Sequence, residues 1–197
     1  MSDFINPEAA AKNYYFAETP FKLLMKSRIN QVLLICSTYD AFTLEEDGRI
    51  DEQIFLEYVS LNLRYPPFFV QASTPEKALE ILDTENIDLV ITMLSGNDMD
   101  TFELAGKIKG QFPEIPIVVL TTFSREVSLK LEKYDLSNID YVFSWLGNAD
   151  LLLAIIKLIE DNMNVEHDVK EVGVQTIILV ENSIRFYSSY LPNIYKI

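Results

Sequence analysis

Residues 87–104 read IDLVITMLSGNDMDTFEL. The first seven form an apolar, β-branched-rich run, the pattern of a strand covered on both faces, and MDTFELAGKIKGQF continues as a helix after a polar loop. A buried strand that feeds a loop and then a helix is half of a βαβ unit. The fold therefore turns on whether the phrase recurs. It does: QVLLIC (31–36), FFVQA (68–72), PIVVLTT (116–122) and IDYVFSW (139–145) are strands of the same kind. Between them lie helices. STPEKALEILDTEN has Ser73 or Thr74 as cap and Pro75 in the first turn, SREVSLKLEKYD is capped by Ser124, and NADLLLAIIKLIEDNM by Asn148. A helix is expected within DEQIFLEYVSLNL, where Ile54, Phe55, Tyr58, Val59 and Leu61 recur at helical spacing before Tyr65-Pro66-Pro67 stops the chain. Five strands alternating with helices require right-handed crossovers and a parallel sheet with helices on both faces, a doubly wound α/β domain.

Ahead of this unit, NPEAAAKNYYF (6–16) and TPFKLLMKSR (19–28) each start with a capping residue followed by Pro, so residues 1–30 are expected to form a helical extension. The 197 residues carry a net charge of -14. That balance argues against a nucleic-acid partner, whose phosphates are met by Lys and Arg. No apolar stretch has the length of a membrane span and no leader pattern opens the chain, so a cytoplasmic protein is expected. Cys36 is the single cysteine and His167 the single histidine, which leaves no internal disulfide and no Cys/His zinc site; no cofactor is expected.

The order and spacing of these phrases resemble the receiver (CheY-like) domain of bacterial response regulators over residues 31–163. DLVITMLSGNDMDTFEL is similar to the family's third strand and following loop, PIVVLTT to its fourth strand, IDYVFSWLGNADLLLAI to its fifth strand and last helix, and STPEKALEIL to its second helix. The resemblance implies a flavodoxin-like strand order, 2-1-3-4-5. It also implies a phosphorylation pocket at the carboxyl ends of the strands: an acceptor carboxylate, an acidic pair for a divalent cation, a Lys, and a Thr or Ser. Carried over by position, the acceptor falls on Met93 and the acidic pair on Cys36 and Ser37. The Lys falls on Ser144, the Pro after it on Trp145, and the hydroxyl on Thr121. A thioether has no nucleophilic oxygen, and a thiol with a hydroxyl gives a hard cation no carboxylate. The expectation is a degenerate pseudo-receiver with no catalytic residue and no metal.

Other features read as structural. TLEEDGRIDEQI (43–54) has Thr43 and Ile54 where a calcium loop needs carboxylates, and fits an acidic insertion better. Asp40 is expected as a helix cap or surface residue rather than a displaced metal ligand, His167 as a solvated linker residue, and Cys36 as a small buried side chain.

After an acidic linker, 164–174, the chain reads TIILVENSIRFYSSYLPNIYKI, which resembles the first strand and helix of another receiver with Glu181-Asn182 at its acidic-pair position. Residues 175–197 are thus expected to start a second, truncated receiver-like domain, with self-association through that segment as one way to cover it. FTLEEDGRIDEQIF, RYPP, FSREVSL, DYVFSWLGNADLLLAIIKLIEDNMNVEHDV and ENSIRFYSSYLPNIYKI are together similar to the N-terminal part of large Bacteroidetes-type proteins related to phosphoenolpyruvate synthase and pyruvate phosphate dikinase. Two functions follow from the resemblances. One is a regulatory or interaction module at the head of such a protein, with other domains of the same chain or another protein as partners. The other is the scaffold half of a tandem receiver pair whose active acceptor lies beyond Ile197.

Overall fold

The computed structural model describes residues 23–45, 49–94, 101–121, 135–145, 147 and 149–196. In chain order the elements are β1 (Gln31–Ile35), α1 (Thr38–Leu44), α2 (Ile50–Ser60), β2 (Phe68–Ala72), α3 (Pro75–Thr84), β3 (Leu89–Met93), α4 (Thr101–Gln111), β4 (Ile117–Thr121), β5 (Tyr141–Ser144), α5 (Asp150–His167) and α6 (Ile184–Tyr195). The strands form one parallel sheet in the order β2-β1-β3-β4-β5. This is the flavodoxin-like arrangement expected from the sequence. The expected helices at 6–16 and 124–135, and the cap at Asn148, fall on or run into residues outside those described.

Alternation along the strands sorts the core into two layers. Val32, Leu34, Ile91, Val118, Leu120 and Phe143 face α2 and α5, while Leu33, Ile35, Val90 and Ile117 face α3 and α4. β3 and β4 are buried along their whole length because both faces are covered, which is why their sequences show no polar alternation. Among the described residues no helix is long and apolar enough to cross a membrane.

Several local expectations are corrected. Residues 38–44, ahead of the expected helix, form a helix of their own, α1: Ser37 caps it by accepting from the Asp40 amide at 3.1 Å and donating to the Asp40 carboxylate at 2.7 Å. Asp40 is therefore not the cap but its reciprocal partner in the first turn. Helix α2 ends at Ser60, where Asn62 takes a left-handed φ of 53° and the Leu63 amide reaches back to Tyr58 O, so the stop precedes Pro66.

Residues 25–30 are not helical. Their backbone is held instead by one face of α5 and the turn that continues it: Glu160, Asn164 and Asp168 accept from the amides of Ile29, Ser27 and Met25 at 3.1, 2.8 and 3.3 Å. Side chains spaced four apart thus meet amides spaced two apart. The stretch expected as a linker is likewise structured. α5 runs to His167 and continues in a π turn, Asp168–Val172, that closes at Gly173 with φ 79°. Asn164 and Asp168 are buried, and His167 lies in the last helical turn with Nδ1 2.9 Å from Asp168 Oδ1.

Finally, Thr176–Val180 belongs to no regular element and is paired with no strand among the described residues, while Ile184–Tyr195 forms the expected helix. A strand exists only where a neighbour takes its backbone groups, and among the described residues none lies beside this one.

Candidate functional site

Four of the five strands deliver the residues singled out from the sequence to one end of the sheet. Met93 and Thr121 are the last residues of β3 and β4, Ser144 is the last of β5, and Cys36 and Ser37 follow β1 directly. Met93 is 6% exposed and Cys36 4%. Both belong to the apolar layer under α2 and α5, against which Trp145 also packs. Thr121 and Ser144 each lie one residue beyond a member of that layer, so alternation turns them to the opposite face, where both are buried. The Trp145 amide donates to Thr121 O at 2.8 Å and the Cys36 amide to Ala72 O at 3.1 Å, which carries the ladder to the rim.

The electrostatics of this end are set by burial. Desolvation, with the Asp40 and Glu45 carboxylates adding to it, pushes the Cys36 thiol up to about 12. It stands as a small apolar residue at neutral pH. The Ser37 hydroxyl is committed to the α1 cap and Asp40 to the same cap. Among the described residues no group of three or more His, Cys, Asp or Glu side chains is gathered as a metal site. Sequence reasoning missed a different feature: Thr92 Oγ1, Thr101 Oγ1, Ser144 Oγ and Trp145 Nε1 are buried with no hydrogen-bond partner among the described residues. Such atoms cost about 1–3 kcal/mol each unless water or a ligand meets them.

The outer edge of β5 is closed by α6. Because the Trp145 amide points to β4, the intervening groups Val142 O and Ser144 N point outward. Tyr187 donates its hydroxyl to Val142 O, and Ser188 Oγ accepts from Ser144 N at 2.8 Å. The Tyr187 ring meets Phe143 edge-on at 5.2 Å between centroids, and Leu191 enters the core. Tyr195 donates to Asp161 at 2.6 Å, and Lys196 bridges Asp150 and Glu57 at 2.5 and 3.0 Å. Glu181 and Asn182 end the stretch before α6, with the Glu181 carboxylate accepting from the Ser183 amide. Behind this stretch lies a cavity of about 900 Å³, lined by β5, the second half of α5 and α6.

No protein-family model matches the chain. Its architecture is that of the receiver domains of response regulators. A CheY-like receiver domain protein from Methanospirillum hungatei JF-1 superposes with a TM-score of 0.51 at 18% identity, over 70% of this chain and 98% of that one. A signal receiver domain from Vibrio parahaemolyticus gives a TM-score of 0.51 at 17% identity, over 73% and 98%. Among curated proteins, the heme response regulator HssR of Staphylococcus saprophyticus is 29% identical over 149 residues, which span 73% of this chain and 64% of that relative.

Proposed function

We propose that this chain is a non-catalytic regulatory or interaction module, a receiver fold without a phosphoacceptor, working in the cytoplasm at the N-terminus of a larger phosphoenolpyruvate synthase-related protein whose other domains are its partners. The observation that carries the reading is Met93, a buried thioether at the carboxyl end of the central strand. Cys36 and Ser37 beside it offer a buried neutral thiol and a hydroxyl already used as a cap. Phosphoryl transfer to a side chain needs a nucleophilic oxygen and a cation held close to it. Acetyl phosphate with Mg²⁺ should accordingly leave the intact mass unchanged. A stable adduct on any Asp between residues 31 and 163 overturns the proposal.

A second reading has its own observation. TIILV followed by Glu181-Asn182 and α6 fits the opening of a second receiver-like unit, which would carry the active acceptor of a tandem pair while residues 31–163 act as its scaffold. Phosphate incorporation by a longer form of the protein, mapped to an Asp beyond Ile197, would favour it.

A further inference from the structure

We propose that Thr176–Val180 is a self-pairing strand, through which two copies of the chain join antiparallel about a two-fold axis at Ile178. Four of its five residues are β-branched and none is charged. Ile177, Ile178 and Val180 are 85%, 83% and 89% exposed, and Leu179, over the cavity, is 45% exposed, so the stretch is open to solvent along most of its length. Among the described residues its backbone is equally bare: only the amides that flank it, Val174 and Ser183, find partners, in Asp168 O and the Glu181 carboxylate. An apolar, β-branched segment outside any helix, whose amides and carbonyls have no partner among the described residues, is a template for another strand.

The described part of the molecule does not itself provide that strand. β5 is the nearest edge, and its outward groups are taken by Tyr187 and Ser188 of α6. The outer edge of β2 is open in another sense: Phe68 N and Ala72 O are bonded to β1, so Phe69 and Gln71 turn their backbone groups outward. That edge lies across the whole sheet, four strand spacings or roughly 19 Å away. The α6 helix is also engaged on its inner side. A second copy of the chain can supply that strand.

A second copy fits by sequence. With Ile178 on the axis, Ile177 faces Leu179, Thr176 faces Val180 and Gln175 faces Glu181, so no like charges are opposed. In a chain of net charge -14 this matters, because copies repel wherever carboxylates meet. Two strands alone make a marginal ribbon. The stacked Phe186 and Tyr190 rings, half-exposed on the outer side of α6 with centroids 6.1 Å apart, add apolar surface on the same segment. The contact does not depend on whether Met93 replaces an acceptor, and the phosphorylation result leaves it untouched.

The test is sedimentation velocity of the full 197-residue chain over a range of concentrations. A dimer is expected. Ile178→Lys places two ammonium groups together on the axis and should raise the dissociation constant roughly 100-fold, with an unchanged circular dichroism spectrum because the side chain is exposed. If that variant misfolds, Val180→Lys serves the same purpose. The Ile178→Cys variant should give, on oxidation, a disulfide that joins position 178 of one copy to position 178 of the other. A chain that stays monomeric, a dimer indifferent to both lysines, or a dimer in which the Ile178→Cys variant forms no cross-link between copies overturns the proposal.

Discussion

The amide of Ser144 and the hydroxyl of Ser188 are joined at 2.8 Å across 44 residues of chain, and the same hydroxyl donates onward to Ile184 O at 2.6 Å. One small side chain thus closes the last outward donor of the edge strand and anchors its own helix. Together with Tyr187 on Val142 O, it protects the sheet without a sixth strand.

Ser188→Ala should therefore leave a buried amide unpaired and cost about 1–3 kcal/mol. Hydrogen exchange at Ser144 should rise in parallel, and the urea midpoint should fall. Unchanged exchange at that amide would mean that water replaces the hydroxyl without loss.

Met93→Asp should destabilise the domain by about 1–3 kcal/mol, the range for burying a polar group with too few partners. Met93 sits in the apolar layer under α2 and α5, where a carboxylate would be desolvated. Phosphate uptake should not return. An unaltered denaturation midpoint would show that this end of β3 is open to water.

Alkali should weaken the fold. Burial raises the Cys36 thiol from 9.0 to about 12 and the Tyr187 hydroxyl from 10.0 to about 12. In both, the folded state keeps the proton that the unfolded chain gives up first. Their contribution is complete below pH 9 and is lost as pH rises from there towards 12, at up to roughly 1.4 kcal/mol per pH unit for each group. Urea midpoints followed across that window should drop, and Cys36→Ala should flatten the early part of the fall. A midpoint independent of pH across that window would contradict the buried-thiol picture.

Asn164→Leu keeps the volume but removes both contacts to Ser27, the amide accepted at 2.8 Å and the carbonyl met at 2.7 Å. The arm before β1 should loosen, and trypsin should cut at Lys26 and Arg28 roughly tenfold faster. Equal cleavage of the variant and the parent would show that Glu160 and Asp168 hold the arm without Asn164.

The sheet was legible because continuous β-branched runs such as LVITM and IVVLT, repeated between helical phrases, fit strands buried on both faces. The strand-end positions of Met93, Thr121 and Ser144 came from laying the receiver resemblance over those runs. What escaped was whatever depends on distant partners. TPFKLLMKSR contains good helix formers, yet three side chains of α5 and the turn after it, more than 130 residues on, take the backbone of its end. TIILV has the local signature of a strand and lacks only the neighbour that makes it one. The short helix α1 did carry a signal, the Ser37–Asp40 capping pair, overshadowed by the acidic run that follows it. The Thr92 hydroxyl and Trp145 indole N–H, unpaired among the described residues, cannot be seen in any one-dimensional pattern.

The three acceptors presented to residues 25, 27 and 29 set the phase of the chain where it enters the sheet. β1 lies between β2 and β3, and a slip by a single residue would exchange its two faces, sending Val32 and Leu34 where Leu33 and Ile35 belong. A helix near the far end of the sequence thereby acts as a ruler for the first strand. Its graduations are Glu160, Asn164 and Asp168, and the Lys157 ammonium fixes the first of them at 2.6 Å. Assembly of the central strand in its correct frame is then coupled to the last helix of the sheet domain. A nascent chain would acquire that index only after α5 has formed.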